Sequence, residues 1–115
     1  MTVTIYHNPR CTKSRKTLQL LQDKGIEHEV IEYLKTPPSV ATMTSILEKL
    51  GMHPRDFIRK KEAEYKEAAL DNPGLSEAQL IEGIVKNPKL FERPVVLANG
   101  KAAIGRPPEN ILEIL

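Results

Sequence analysis

The sequence predicts an α/β fold in the order βαβ, a helical block, then ββα, and three observations predict it. The first is a β-branched and aromatic run at residues 3–6, then a segment of helical period, then a second alternating run. The second is a middle stretch whose apolar residues recur at helical spacing. The third is Asn99-Gly100 between two apolar runs, the strongest short-range hairpin signal. At 115 residues the chain has the length of one domain and buries a core without disulfide or metal staples.

Residues 3–6 read as a strand closed by the turn-forming His7-Asn8-Pro9. Thr12 or Ser14 then caps a helix running to about Lys24, with Leu18, Leu20 and Leu21 on one side and Gly25 as its stop. Residues 27–33 alternate around Val30 and Ile31 as a second strand, ended by Thr36-Pro37-Pro38. Strand, helix and strand in this order predict a right-handed crossover between parallel strands. Ser39 N-caps Val40–Leu50, which places Met43, Ile46, Leu47 and Leu50 on one face and Gly51 at C′. Pro54 suits a first helical turn, and Phe57-Ile58 leads into a charge-laced helical segment at 59–70, broken by Asp71-Asn72-Pro73-Gly74. Ser76 caps Glu77–Lys86. Arg93-Pro94 introduces the hairpin strands Val95–Ala98 and Lys101–Ile104, and Pro107-Pro108 open a last short helix at 109–115. The expected organisation is a single domain over 1–115, with a helical insertion at about 39–91.

The 17 Lys and Arg against 15 Asp and Glu leave a net charge of +2, too small to argue for nucleic acid as a partner. Hydrophobic content of 40% with 28% charged residues is ordinary for a globular chain and excludes a disordered one. No apolar run approaches the roughly 20 residues of a membrane span. Thr2-Val3-Thr4-Ile5 alternates at once, with no basic-then-apolar signal region, so the expected location is the cytoplasm, without membrane contact. The single cysteine excludes an internal disulfide and a multi-thiolate zinc site, and no Cys/His/carboxylate cluster stands at ligand spacing, so no metal is expected.

Cys11 lies in the turn between the first strand and the first helix, where unpaired backbone N–H groups and the positive helix end gather. Arg10, Lys13, Arg15 and Lys16 surround it, and each favours thiolate over thiol. The same donors form a cradle for an oxyanion. The competing reading is an inert buried thiol, but no apolar residue flanks Cys11. Cys11-Thr12-Lys13-Ser14 lacks the second cysteine of a redox pair; Ser14 either caps the helix or hydrogen-bonds the sulfur or a bound oxyanion. His7, four residues earlier, is either a cationic neighbour that polarises the thiol or a filler of the strand end. Arg93 and Arg106 stand in stiff, proline-rich segments at sheet ends, where a guanidinium fork suits arsenate or phosphate. Arg59, within Arg59-Lys60-Lys61-Glu62, reads first as part of a solvated helix face, and for Arg93 and Arg106 a plain surface reading stands level with the oxyanion one.

Tyr6-His7-Asn8-Pro9-Arg10-Cys11 with Ser14-Arg15, then Ile58-Arg59-Lys60, Glu92-Arg93-Pro94-Val95-Val96 and Gly105-Arg106-Pro107-Pro108-Glu109, resemble the glutaredoxin-dependent arsenate reductases of bacteria. The resemblance runs in order over essentially the whole chain. It implies a thioredoxin-like, glutaredoxin-like fold of the group that also holds the Spx regulators, and a cis bond before Pro94. It implies Cys11 as nucleophile toward arsenate, Arg59, Arg93 and Arg106 as oxyanion ligands, and His7 and Ser14 as supports of the thiolate. The implied chemistry is reduction of arsenate to arsenite, with glutathione as co-substrate, glutaredoxin as partner and no tightly bound cofactor. Arg10, Thr12 and Lys13 depart from the small residues that the family places around its nucleophile. Two other readings stand beside it: a general glutathione-dependent thiol reductase with another substrate, and a Spx-like regulator that binds RNA polymerase. The absence of Cys-x-x-Cys and the presence of the three arginines argue against the regulator.

Overall fold

The computed structural model describes residues 3–115. The chain packs as two compact units, one built from residues 3–36 and 93–115, the other from 37–92.

The first unit is a four-stranded mixed sheet with helices. Strand β1 (Thr4–His7) leads into helix α1 (Thr12–Asp23), which ends where Gly25 takes a left-handed φ of 65°, and strand β2 (Glu29–Glu32) follows. β1 and β2 are parallel, in the register Thr4 with Glu29 through His7 with Glu32, as the βαβ order predicts. The chain returns to this unit as strands β3 (Val95–Ala98) and β4 (Lys101–Ile104), joined through Asn99 and Gly100, both at positive φ. β3 runs antiparallel to β1 and to β4, which gives the strand order β2-β1-β3-β4. Val3, Ile5, Leu21, Val96, Ala98, Ile111 and Ile114 form the core, with Leu18, Leu20 and Ile26 packed against it. Alternation along β1 and β3 supplies this core. The peptide before Pro94 is cis, as expected, and so is that before Pro107. The C-terminal segment is a 3₁₀ helix, Pro108–Ile114, where the sequence suggested an ordinary short helix.

The second unit is helical. α2 (Val40–Leu50) has the expected Ser39 cap, whose hydroxyl accepts from the Thr42 N–H, and Gly51 ends it at φ 67°. α3 (Pro54–Phe57) is one turn, and α4 (Ala63–Glu67) is little longer. α5 (Glu77–Lys86) opens on a full capping box between Ser76 and Gln79 and is followed by a 3₁₀ turn, Pro88–Leu90. α5 packs on α2, on α3 and on the 3₁₀ turn, and Phe57 meets Phe91 edge to face with centroids 5.1 Å apart.

The expected helix over 59–70 does not form. Residues 59–62 make a turn, closed by the Glu62 N–H on the Arg59 carbonyl, and only Ala63–Glu67 is helical before Ala69 goes to positive φ. Arg55 holds the end of the segment. Its guanidinium donates to the Tyr65 hydroxyl and to the carbonyls of Leu70 and Asn72, each at 2.9 Å, and fixes a non-helical path that propensity alone does not foresee.

Candidate active site

The loop between β1 and α1 is fastened along its length. The Asn8 carbonyl accepts from the Cys11 N–H and the Asn8 side chain accepts from the Arg10 N–H, both at 3.0 Å. Arg15 reaches back from α1 to the Pro9 carbonyl at 2.9 Å and to the Thr12 hydroxyl at 3.3 Å. The loop therefore delivers Cys11 as the N-cap of α1, in extended backbone with φ −95° and ψ 123°. This corrects the expected cap: neither Thr12 nor Ser14 holds that position. The sulfur stands where a capping serine oxygen would stand. As a neutral thiol it makes no close capping bond, but the N–H groups of Ser14 and Lys13 face it and favour its charged form.

Burial is the largest influence on Cys11 and pushes its pKa up. The Ser14 N–H, the charge of Arg93, the Lys13 N–H and a hydrogen bond from Arg93 push it down, and together they prevail. The thiol is held below its ordinary range. The sequence credited this to Arg10, Lys13, Arg15 and Lys16, whose side chains are all exposed. The structure assigns the charge to half-buried Arg93, which comes from the far end of the chain and stands one residue before cis Pro94.

Ser14 is fully buried, and its hydroxyl turns away from the capping role. It lies 2.6 Å from His7 Nδ1 and accepts from the Asn8 N–H at 3.0 Å. His7 is buried too. Burial lowers its pKa first, Glu32 opposes this and Arg15 adds to it, with a net fall. This shift favours the neutral imidazole and weighs against the cationic-neighbour reading. The ring is hydrogen-bonded to Ser14, whose own N–H faces the sulfur.

Arg106 follows Gly105, whose N–H donates to the Pro94 carbonyl at 2.9 Å and whose carbonyl accepts from Thr17 of α1 at 3.4 Å. This ties the segment carrying Arg106 to the one carrying Arg93, and Arg106 itself is exposed. Gly105 is required by close approach: a Cβ there would lie 2.5 Å from Thr17 Oγ1 and 2.8 Å from Pro94 Cγ. The structure thus brings Cys11, Ser14, His7 and Arg93 together, with Arg106 on the adjoining segment. Arg59 belongs to the helical unit, where its guanidinium pairs with Glu62 at 2.7 Å.

Asn8 and Thr17 escaped the sequence reading as site residues, and Arg15 was read only as a charge beside Cys11. Asn8-Pro9 was legible as a turn, but the bonds that Arg15 and Thr17 make depend on the folded path. No cluster of three or more His, Cys, Asp or Glu suited to a metal occurs among the described residues. No helix among them is long and apolar enough to cross a membrane.

A lone activated thiol capping the first helix of a mixed sheet, with an arginine from the neighbouring strand segment beside it, defines a thioredoxin-like thiol protein. The chain belongs to the ArsC family, whose model matches residues 6–114. It is 57% identical over 114 residues to the uncharacterised protein YfgD of Escherichia coli K12, covering 98% of this chain and 96% of that one. It is 51% identical over 114 residues to an arsenate reductase of Neisseria meningitidis serogroup B, covering 98% and 97% of the two. Its fold matches the structure of an arsenate reductase from Vibrio cholerae with a TM-score of 0.96 at 49% identity, over 100% of this chain and 98% of the other.

Proposed function

We propose that this protein reduces arsenate to arsenite, with the Cys11 thiolate as nucleophile. The observation that carries the reading is the sulfur itself: an N-cap thiol, drawn toward its charged form by two backbone N–H groups and by Arg93. The thiolate attacks arsenic, and as the sulfur–arsenic bond forms one arsenic–oxygen bond breaks, the departing hydroxyl taking a proton from solvent to leave as water. Arg93 and Arg106, with Arg59 as the third ligand that the resemblance assigns, neutralise the charge that builds on the oxyanion. Glutathione adds its thiol to the adduct. As the two sulfurs join, two electrons pass to arsenic, and arsenite departs from a Cys11–glutathione disulfide. Glutaredoxin then removes the glutathione by thiol–disulfide exchange. Free-thiol chemistry of this kind belongs to a reducing compartment, the cytoplasm.

Relatives named arsenate reductase at 51% and 49% identity support the substrate, and the single cysteine supports an external thiol. The test is NADPH oxidation coupled through glutathione reductase, with arsenate, glutathione and glutaredoxin each omitted in turn. All three should be required. Oxidation that proceeds equally without arsenate would instead identify a general glutathione-dependent thiol reductase. Arg93→Ala and Arg106→Ala should lower turnover with the fold intact, and Arg→Lys should restore little, because an ammonium lacks the forked donors.

A further inference from the structure

The Arg59 guanidinium is already engaged by a carboxylate. Its Nη1 lies 2.7 Å from Glu62 Oε1, and the two side chains are only 25% and 30% exposed. The pair is built into the backbone. The Glu62 N–H donates to the Arg59 carbonyl at 3.2 Å, and the Arg59 N–H donates to the Leu90 carbonyl at 3.0 Å, which moors the turn to the 3₁₀ segment. Lys60 and Lys61, between them, are exposed, and no carboxylate among the described residues stands within ion-pair distance of either. The turn thus carries three cations and one carboxylate, and that carboxylate sits on the arginine.

We propose that Glu62 is an internal counter-anion for Arg59, which holds the guanidinium in place until a dianionic oxyanion displaces it. This rests on the reading of Arg59 as an oxyanion ligand. A carboxylate and an arsenate oxygen compete for the same N–H donors, so Glu62 sets the threshold an anion must exceed. Singly charged anions gain little by the exchange, whereas a dianion gains the neighbouring lysines as well. Because a partly exposed pair is weak, displacement costs only about a two- to fivefold factor in the equilibrium. Glu62 is a positioning residue and takes no part in the chemical step.

Calorimetric titration of the full-length protein with arsenate, without glutathione, tests this. Glu62→Gln should bind arsenate about two- to fivefold more tightly. Arg59→Ala should bind more weakly, and in that background Glu62→Gln should have no effect. Glu62→Asp, which keeps the charge but withdraws it by one methylene, should fall between the parent and Glu62→Gln, and covers the case in which the amide fails to fold. Unchanged or weaker binding in Glu62→Gln overturns the proposal. So does an equal gain in the Arg59→Ala background, which would mark a general charge effect, and so does parental affinity in Arg59→Ala or no binding by any of the proteins. Loss of arsenate turnover with the Arg59–Glu62 coupling intact would sink the proposed reaction and leave the counter-anion standing.

Discussion

Cys11 differs from an ordinary surface thiol in what a negative charge on it would meet: two N–H groups of its own helix and one guanidinium from another strand segment. Alkylation by iodoacetamide followed against pH should therefore show a midpoint well below about 8.5, the value for a thiol without such neighbours. Arg93→Ala should move that midpoint up, since it removes both the charge and the hydrogen bond, and Cys11→Ser should abolish labelling. A midpoint unmoved by Arg93→Ala would leave the backbone alone responsible. His7 makes a separate prediction about stability. Its folded pKa lies below the 6.5 of an unperturbed imidazole, so as pH falls through 6.5 the unfolded chain takes up a proton that the folded one refuses. Unfolding free energy from urea titration should decline below pH 6.5 and level off once the folded His7 is itself protonated. Well above pH 6.5 the imidazole is neutral in both states and contributes no slope. His7→Gln retains a hydrogen-bonding partner for Ser14 and should flatten this part of the profile; an unchanged slope would place the titration in another group.

The elements that position the site meet at Gly105, where the end of β4 touches α1 and the residue that follows Arg93. Gly105→Ala would drive a Cβ into Thr17 and Pro94, at 2.5 and 2.8 Å, and should cost about 1–3 kcal/mol in urea unfolding. It should also raise the Cys11 alkylation midpoint, because Pro94 cannot move without Arg93. A variant as stable as the parent would show that Thr17 turns aside freely. Nothing in the sequence around Gly105 distinguishes it from a simple stop between a strand and two prolines. The distinction lies in a contact spanning residues 17 and 105, which no local pattern encodes. Where an element's signals are local, the sequence was sufficient. Ser39 with Gly51 bounds α2, Ser76 bounds α5, and Asn99-Gly100 sets the hairpin, each to the residue. It failed at 59–70, whose end three bonds from Arg55 hold on a non-helical path, and at the cap of α1, where a cysteine took the place that hydroxyl statistics give to Thr12 or Ser14. The candidate site divides the same way. Cys11 was legible from its position at a strand-to-helix turn, but the charge acting on it comes from Arg93, beyond the reach of any local window.

Across the whole molecule there is one thiol, and this bounds the proposed chemistry more tightly than any distance. Reduction of arsenate takes two electrons, and an enzyme with a resolving cysteine collects them by closing its own disulfide. Here Ser14 occupies the position of such a partner, buried and bonded to His7, and no second thiol exists elsewhere in the chain. The second electron donor must then be a separate thiol molecule, and the oxidised product must be a mixed disulfide on Cys11. Enzyme incubated with arsenate and glutathione but without glutaredoxin should stop after one event. Its intact mass should rise by a single glutathione, and arsenite should appear in one-to-one proportion to protein. Cys11→Ser should acquire neither the added mass nor the arsenite. Addition of glutaredoxin should return the mass to that of the parent and restart turnover, since exchange at an N-cap sulfur is favoured by the low pKa of the thiolate that leaves. Sustained turnover with thioredoxin and no small thiol is incompatible with this sequence of steps, because thioredoxin would then have to meet the arsenic adduct directly rather than a mixed disulfide.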